Sequence, residues 1–231
     1  MQIKEKQKLE LSVIMPCLNE ENTVGYCVDE ATRFMQKYHI SGEVIVVDNG
    51  SKDASAMVAA KHGARVIAES RKGYGRAVRT GLANSTGGIL IIGDADTTYD
   101  FGHMEEMYKS LAMGNCDMII GNRYAGGIEM GAMPCTHKWG VRFLSFCGRK
   151  RFGVDVYDFH CGLRGISRQA LEKLTFRTDG MEFATEMIAE AAGKKLHIEQ
   201  IPVPLRKCEY KRQSKLRTIR DGFRHFRYIF M

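Results

Sequence analysis

The chain of 231 residues has 44% hydrophobic and 26% charged residues, the composition of one globular domain with at most an extension. No stretch reaches the ~18–20 apolar residues of a membrane span and no N-terminal signal peptide is visible. Seven irregularly spaced cysteines without a Cys-x-x-Cys argue for reduced thiols in a cytosolic protein rather than a disulfide framework or zinc site. The net charge is +7, and residues 206–227, with nine Lys/Arg and two Asp/Glu, hold that whole excess. An anionic partner is therefore expected at that end of the chain.

Taken in order, Leu11–Pro16 reads as a first strand, and Val24, Cys27, Val28, Ala31, Phe34 and Met35 recur at helical spacing. Glu43–Asp48 is a β-branched strand followed by the turn Asn49-Gly50-Ser51, where Ser51 or Asp53 is a candidate cap for a helix running to residue 62. Residues 64–68 form a short strand, 73–84 a helix with a glycine-rich entry, 89–92 a strand, 101–112 a helix and 117–120 a strand. Strands alternating with helices over 11–121 predict an α/β fold, a mostly parallel sheet with helices on both faces. The second half is less regular. The pattern predicts a mobile Gly/Met-rich loop over 125–135, a short helix over 139–147, a strand over 162–167 and helices over 168–174 and 182–192. Residues 196–205 read as extended but interrupted by Pro202 and Pro204, which places them at a sheet edge or takes them out of the sheet. The simplest division is an N-terminal extension (1–10), one domain (11–205) and a basic tail (206–231).

Three strands end in polar turns: Pro16-Cys17-Leu18-Asn19-Glu20, Asp48-Asn49-Gly50-Ser51 and Asp94-Ala95-Asp96. On a parallel sheet these turns share the carboxyl edge, where open α/β sheets bind ligands. Asp94 and Asp96 follow the apolar run Ile89–Ile92 and can both reach a hard divalent cation, which completes its shell with water and phosphate oxygens. On spacing alone the alternative is a solvated acidic turn. No Gly-x-Gly-x-x-Gly opens the first helix, and no Gly-Lys-Ser/Thr loop is present.

The ordered set Val13–Glu20, Val46–Asp53, Arg71–Gly75 and Asp94–Asp96 resembles the family 2 glycosyltransferases with the nucleotide-sugar-binding GT-A fold. The segments 120–124, 158–164 and 210–216 are most similar to the dolichyl- and polyprenyl-phosphate hexose (mannose or glucose) synthases. That resemblance implies a single Rossmann-like GT-A domain and a metal-dependent, inverting hexosyltransferase. Pro16, Asn19, Glu20, Asp48, Lys72, Gly73, Gly75, Asp94, Ala95 and Asp96 would bind a UDP- or GDP-hexose, the glycines letting backbone approach the nucleotide. Asp94 and Asp96 would hold Mg²⁺ or Mn²⁺ against the donor diphosphate. Relatives often carry glutamine two residues after the second aspartate. Here Thr98 stands there, and Thr98, Asp100 or water could replace it. Arg123, Arg206, Lys211, Arg212, Ser214 and Lys215 would cradle the acceptor phosphate. Asp96, Arg123, Asp158 and Glu186 are the candidate catalytic residues, and Asp158 and Glu186 have roles that sequence does not separate: donor-sugar recognition, acceptor positioning or general base. His160 reads as structural.

In the tail, Leu216, Ile219, Phe223, Phe226 and Phe230 form one apolar stripe, with Arg217, Arg220, Arg224 and Arg227 on other faces. A basic amphipathic helix suits an anionic membrane surface; the competing arrangement packs it on the domain with its arginines in solvent. Relatives often continue into transmembrane helices beyond such a segment. The expected partners are a nucleotide sugar, a polyprenyl phosphate and the cytoplasmic membrane face, where the enzyme would be peripheral. No nucleic-acid-binding pattern accompanies the basic tail, and homo-oligomerisation stays open. The rivals are a family 2 transferase acting on a sugar hydroxyl, which needs a carboxylate base, and a catalytically silent nucleotide-sugar-binding subunit.

Overall fold

The structure, a computed structural model, describes residues 9–208, 210 and 218–231. A seven-stranded sheet is its centre, in the order β3-β2-β1-β4-β6-β5-β7. The strands are β1 (Leu11–Cys17), β2 (Gly42–Asp48), β3 (Arg65–Ala68), β4 (Ile89–Ile92), β5 (Met118–Asn122), β6 (Arg164–Ser167) and β7 (Ile198–Pro202). β1 to β4 are mutually parallel, β5 pairs parallel with β7, and β6 alone runs antiparallel between β4 and β5. β4 is buried along its whole length, and β1 everywhere but Pro16, as strands covered on both faces must be.

The direction of β6 positions the site. Arg164 faces Ile92 of β4 and Ile120 of β5, so β6 begins where those two strands end. The segment 158–163 is thereby delivered to the carboxyl edge, beside the acidic turn. The sequence pattern predicts a strand there but not its direction. β7 takes the sheet edge, a place that suits its proline, Pro202.

The covering helices are α1 (Val24–Lys37), α2 (Ser55–Lys61), α3 (Tyr74–Asn84), α4 (Glu105–Ala112), α5 (Arg123–Gly126), α6 (Cys135–Phe152), α7 (Arg168–Leu171), α8 (Phe183–Gly193) and α9 (Thr218–Phe230). α1 buries Val24, Cys27, Val28, Ala31, Phe34 and Met35, the periodic set read from sequence. Two expectations for the second half are corrected. The stretch 125–135 is tied down rather than mobile: Ile128 bridges Leu205, and Glu129 N donates to Leu205 O at 3.0 Å. The predicted short helix over 139–147 is an 18-residue helix, α6, entered after Pro134 and closed by Gly153 in the left-handed conformation at φ +66. Exposed aromatics and two internal glycines blur its periodicity.

α9 also departs from expectation. It packs on α6 and α8, but through Asp221, His225 and Ile229, which are buried, while Phe223, Phe226 and Phe230 face outward. Of the two arrangements weighed for the tail, the helix is docked on the domain and still presents Phe223, Phe226 and Phe230 of its apolar stripe to the exterior. Leu216 lies outside the described residues.

Candidate active site

The turns after β1 and β2 are stitched together by side chains. Asn19 N donates to Ser51 Oγ (2.9 Å), Lys52 N to Asn19 Oδ1 (2.8 Å) and Glu20 N to Ser55 Oγ (2.7 Å). Asn19 sits at φ +51, a conformation asparagine tolerates. Asp48 accepts from Ser51 N at 3.2 Å, and Asp53, one of the two proposed caps of α2, accepts from Ser55 N at 3.0 Å. Asn49, to which the sequence assigns only a place in a turn, is buried. Its amide donates to Glu69 O (3.0 Å) and Arg71 O (2.8 Å) and its carbonyl accepts from Gly73 N (2.8 Å). It pins the segment carrying the exposed Lys72 to the end of β2.

The acidic turn closes the same edge. Asp96 is buried, and its Oδ1 accepts from Thr98 N at 3.0 Å and from the Thr98 hydroxyl. Thr98 thus braces Asp96, at the position where the family resemblance leads to the expectation of a glutamine. Thr23 Oγ1 donates to Ala95 O (2.8 Å) and is 3.2 Å from Glu20 Oε2, which ties the start of α1 to the acidic turn. Gly162 packs against Asp94: a Cβ there would lie 2.4 Å from Asp94 Oδ2. Gly162 N also donates to Tyr99 Oη at 2.9 Å. Its role was readable only as part of the 158–164 motif. Burial, and then the Asp94 carboxylate, raise the Tyr74 phenol above its usual value. That places the first turn of α3 beside the acidic pair. Among the described residues no three or more His, Cys, Asp or Glu converge on one point. Asp94 and Asp96 offer two hard carboxylates, the donor type that suits Mg²⁺ or Mn²⁺ completed by water and phosphate oxygens.

The other candidate carboxylates are engaged. Asp158 is fully buried and binds Arg123 bidentately, at 2.7 Å to Nε and 2.7 Å to Nη2, and accepts from Arg123 N at 3.1 Å. Glu186 is buried in α8 and accepts from Arg177 N (2.8 Å), Thr178 N (3.0 Å) and Thr178 Oγ1 (2.6 Å). Arg164, the largest fully buried side chain, donates to the carbonyls of Phe159, Cys161 and Ala184 and so fixes the 158–164 turn to α8. His160 meets His225 of α9 edge-to-face at 4.2 Å between centroids, and burial lowers both imidazoles.

Of the expected phosphate ligands, Arg123 is paired with Asp158. Arg206 contacts Asp100, lies 3.7 Å from Glu30 Oε1, and donates its backbone N–H to Thr98 O at 2.9 Å. It therefore props the acidic turn from outside. Lys211, Arg212, Ser214 and Lys215 lie outside the described residues. A cation the sequence did not single out is better placed. Arg142 of α6 stacks over the Tyr124 ring at 5.1 Å and lines two adjoining hollows of about 290 and 400 Å³, which Tyr124 also lines and in which Asn122 and Trp139 take part. It has no carboxylate partner among the described residues. Beyond it, α6 exposes Trp139, Phe143 and Phe146, and α9 exposes Phe223, Phe226 and Phe230. Every exposed Phe or Trp among the described residues is on these two helices.

The model of the family described as glycosyl transferase family 2 matches residues 12–175. The low-salt glycan biosynthesis hexosyltransferase of Haloferax volcanii is 37% identical over 220 residues, 95% of this chain, and the chain spans 52% of that protein's length. The dolichyl-phosphate hexose transferase of the same organism is 28% identical over 217 residues, 92% of this chain and 89% of its own. Among solved structures, glucosyl-3-phosphoglycerate synthase from Mycobacterium tuberculosis, in complex with Mn²⁺, uridine diphosphate and glucosyl-3-phosphoglycerate, aligns with a TM-score of 0.76 over 97% of this chain and 81% of that one. At 22% identity this likeness is one of fold.

Proposed function

Because the chain belongs to glycosyl transferase family 2, we propose that it moves a hexose from a nucleotide sugar to a polyprenyl phosphate at the cytoplasmic membrane face, with inversion at the anomeric carbon. The observation that carries the acceptor assignment is the Arg142–Tyr124 hollow: a cation without a carboxylate partner among the described residues, in hollows lined by the exposed Trp139 and Phe146 of α6. A phosphate headgroup suits the cation. An apolar chain and bilayer suit the aromatic faces, with Lys138, Arg220 and Arg227 to attract anionic lipid. The dolichyl-phosphate hexose transferase relative supports the same class of acceptor.

The residues divide the work. The stitched turns at Asn19, Asp48 and Asn49 shape a rigid pocket for the nucleoside, and Lys72 lies over it. Asp94 and Asp96 would hold Mg²⁺ or Mn²⁺, which supplies charge neutralisation for the departing nucleoside diphosphate. Arg142 holds the acceptor phosphate so that one oxygen faces the anomeric carbon opposite the leaving group. A sugar hydroxyl acceptor would need a carboxylate base. Asp158 is spent on Arg123 and Glu186 on the 177–178 backbone, whereas a phosphate monoester is already anionic and needs none. This weighs against the sugar-hydroxyl reading.

Isotope-labelled UDP- and GDP-hexoses, offered with polyprenyl phosphate and Mn²⁺, should give label in the lipid fraction. Label confined to protein or free glycan would sink the acceptor assignment. No metal-dependent nucleotide binding by calorimetry would favour a silent subunit. A thermal-shift panel of nucleotide sugars identifies the donor, since the cognate one raises the melting temperature by mass action.

A further inference from the structure

Gly73 and Gly75 were expected to be glycines so that a nucleotide could approach. The space that a side chain would fill is taken by the protein itself. A Cβ on Gly73 would lie 2.0 Å from Asp179 O, and one on Gly75 would lie 2.8 Å from Thr178 O and 2.9 Å from Gly180 O. Gly73 also sits at φ +148, where a side chain is strained. The contact is bonded as well as close. Gly75 N donates to Gly180 O (3.2 Å), Arg76 N to Asp179 O (3.1 Å), and Arg79 Nη1 to Arg177 O (3.1 Å) and Asp179 Oδ1 (3.0 Å). The segment 177–180 is therefore a clasp on the first turn of α3. These bonds take up N–H groups that a helix start leaves without intrahelical partners.

Two side chains hold the clasp from behind: Glu182 Oε1 accepts from Gly180 N at 3.3 Å, and Glu186 makes the larger share of the bonds. The Glu186 carboxylate accepts from two consecutive backbone N–H groups and from the Thr178 hydroxyl, and it is 2% exposed. Charge-assisted bonds to backbone N–H are the strong class. Two of them, with the hydroxyl bond beside them, leave this buried carboxylate with a structural task.

We infer that Glu186 is a positioning residue for the donor site: through the 177–180 clasp it sets the first turn of α3 and the Lys72–Gly73 segment against the nucleotide. The inference rests on the donor site proposed above, and it separates Glu186 from the base role that the sequence left open. Glu186 touches no reacting atom in this scheme, so its loss acts on donor binding rather than on the chemical step.

The test compares E186Q, T178V and T178S with the wild-type enzyme by calorimetry with uridine and guanosine diphosphates plus Mn²⁺, by steady-state kinetics, and by hydrogen exchange over 73–76 and 177–180. E186Q should weaken nucleotide binding and raise donor KM roughly tenfold, equivalent to about 1.4 kcal/mol. Its kcat should stay within about twofold and its pH–kcat profile should keep its shape, since no proton-transfer group is lost. Exchange should rise in both stretches. T178V should show the same pattern at about threefold, as expected for one lost hydrogen bond, and T178S should restore it. T178V also reads the clasp should E186Q fold poorly. Unchanged nucleotide affinity in E186Q, or faster exchange at 177–180 with 73–76 unmoved, overturns the inference. So does a collapse of kcat with nucleotide binding intact, which is the signature of a base. If the wild-type enzyme binds neither nucleotide, the donor reading fails, while the exchange data still decide whether Glu186 positions α3.

Discussion

The donor edge and the α6–α9 face treat polar and apolar groups in opposite ways. At the donor edge the loops are short, side chains bond backbone across turns, and Asp96, Asp158 and Glu186 are all buried with their oxygens engaged. On the α6–α9 face, Arg142 has only the Tyr124 ring among the described residues, and six described Phe and Trp rings are exposed. A site for a charged diphosphate must be rigid before the ligand arrives, because fixed dipoles that need not reorganise stabilise developing charge best. Under the proposed lipid acceptor, the α6–α9 face can leave its apolar side chains uncovered until a bilayer covers them. The docked side of α9 joins the two regions. Arg224 lies 3.1 Å from Glu182, and His225 lies 2.8 Å from Thr185 and against His160.

The largest effect is expected at the donor edge. D96N should lower kcat/KM on the order of a hundredfold or more, since charge on the leaving group loses its support. Circular dichroism should show the fold retained; near-normal activity would mean that the acidic turn is not the metal site. Across the boundary, R142A should raise acceptor KM roughly tenfold to a hundredfold, the range for a lost charge-assisted hydrogen bond, with donor KM unchanged. R142K should recover part of it, because lysine keeps the charge but not the paired donors. An equal rise in donor KM would erase the division between the regions.

The α9 joint should weaken in acid. Burial, then the charges of Arg164 and Arg224, lower His225 from 6.5 to about 4. Folded His225 stays neutral where the unfolded chain takes up a proton, so stability falls as pH drops below about 6.5 and the loss levels off near the folded value. Urea unfolding should show about 2 kcal/mol lost between pH 7 and pH 5 that H225Q does not lose. Parallel losses in both proteins would assign the acid sensitivity elsewhere. The smallest effect is on the outer face. Replacing Phe223 and Phe226 by serine should weaken sedimentation with anionic vesicles by about threefold per ring, roughly tenfold together, the value for partial burial of aromatic surface. Hydrolysis of the nucleotide sugar without lipid should be unaffected. Undiminished vesicle binding would leave the aromatic face without a lipid role.

How far the site was legible follows the length scale of the interactions. The polar turns at Asn19, Asp48 and Asp94-Ala95-Asp96 announce themselves because each sits directly after an apolar strand, and parallel pairing then puts them on one edge. Arg142 was missed because a lone arginine in an aromatic-rich helix carries no local signal. Its place comes from Tyr124, 18 residues earlier, and from having no carboxylate partner among the described residues. Arg123 and Arg206 were expected to meet a phosphate because sequence shows their charge and not Asp158, Asp100 or Glu30 beside them. The α9 stripe was read correctly as apolar, but which face docks was decided by partners on α8 and at His160.

By itself the sequence determined the alternation of strands and helices, the acidic pair at the end of β4 and the concentration of positive charge in the tail. These are set by periodicity and composition within a few residues. The tertiary structure alone decided the antiparallel course of β6 that brings Asp158 and Gly162 to the site, and the burial of Glu186 under the 177–180 clasp. It also decided the outward turn of the aromatics on α6 and α9. Each of these depends on contacts between segments distant in the chain, where pairing geometry and desolvation outweigh local preference.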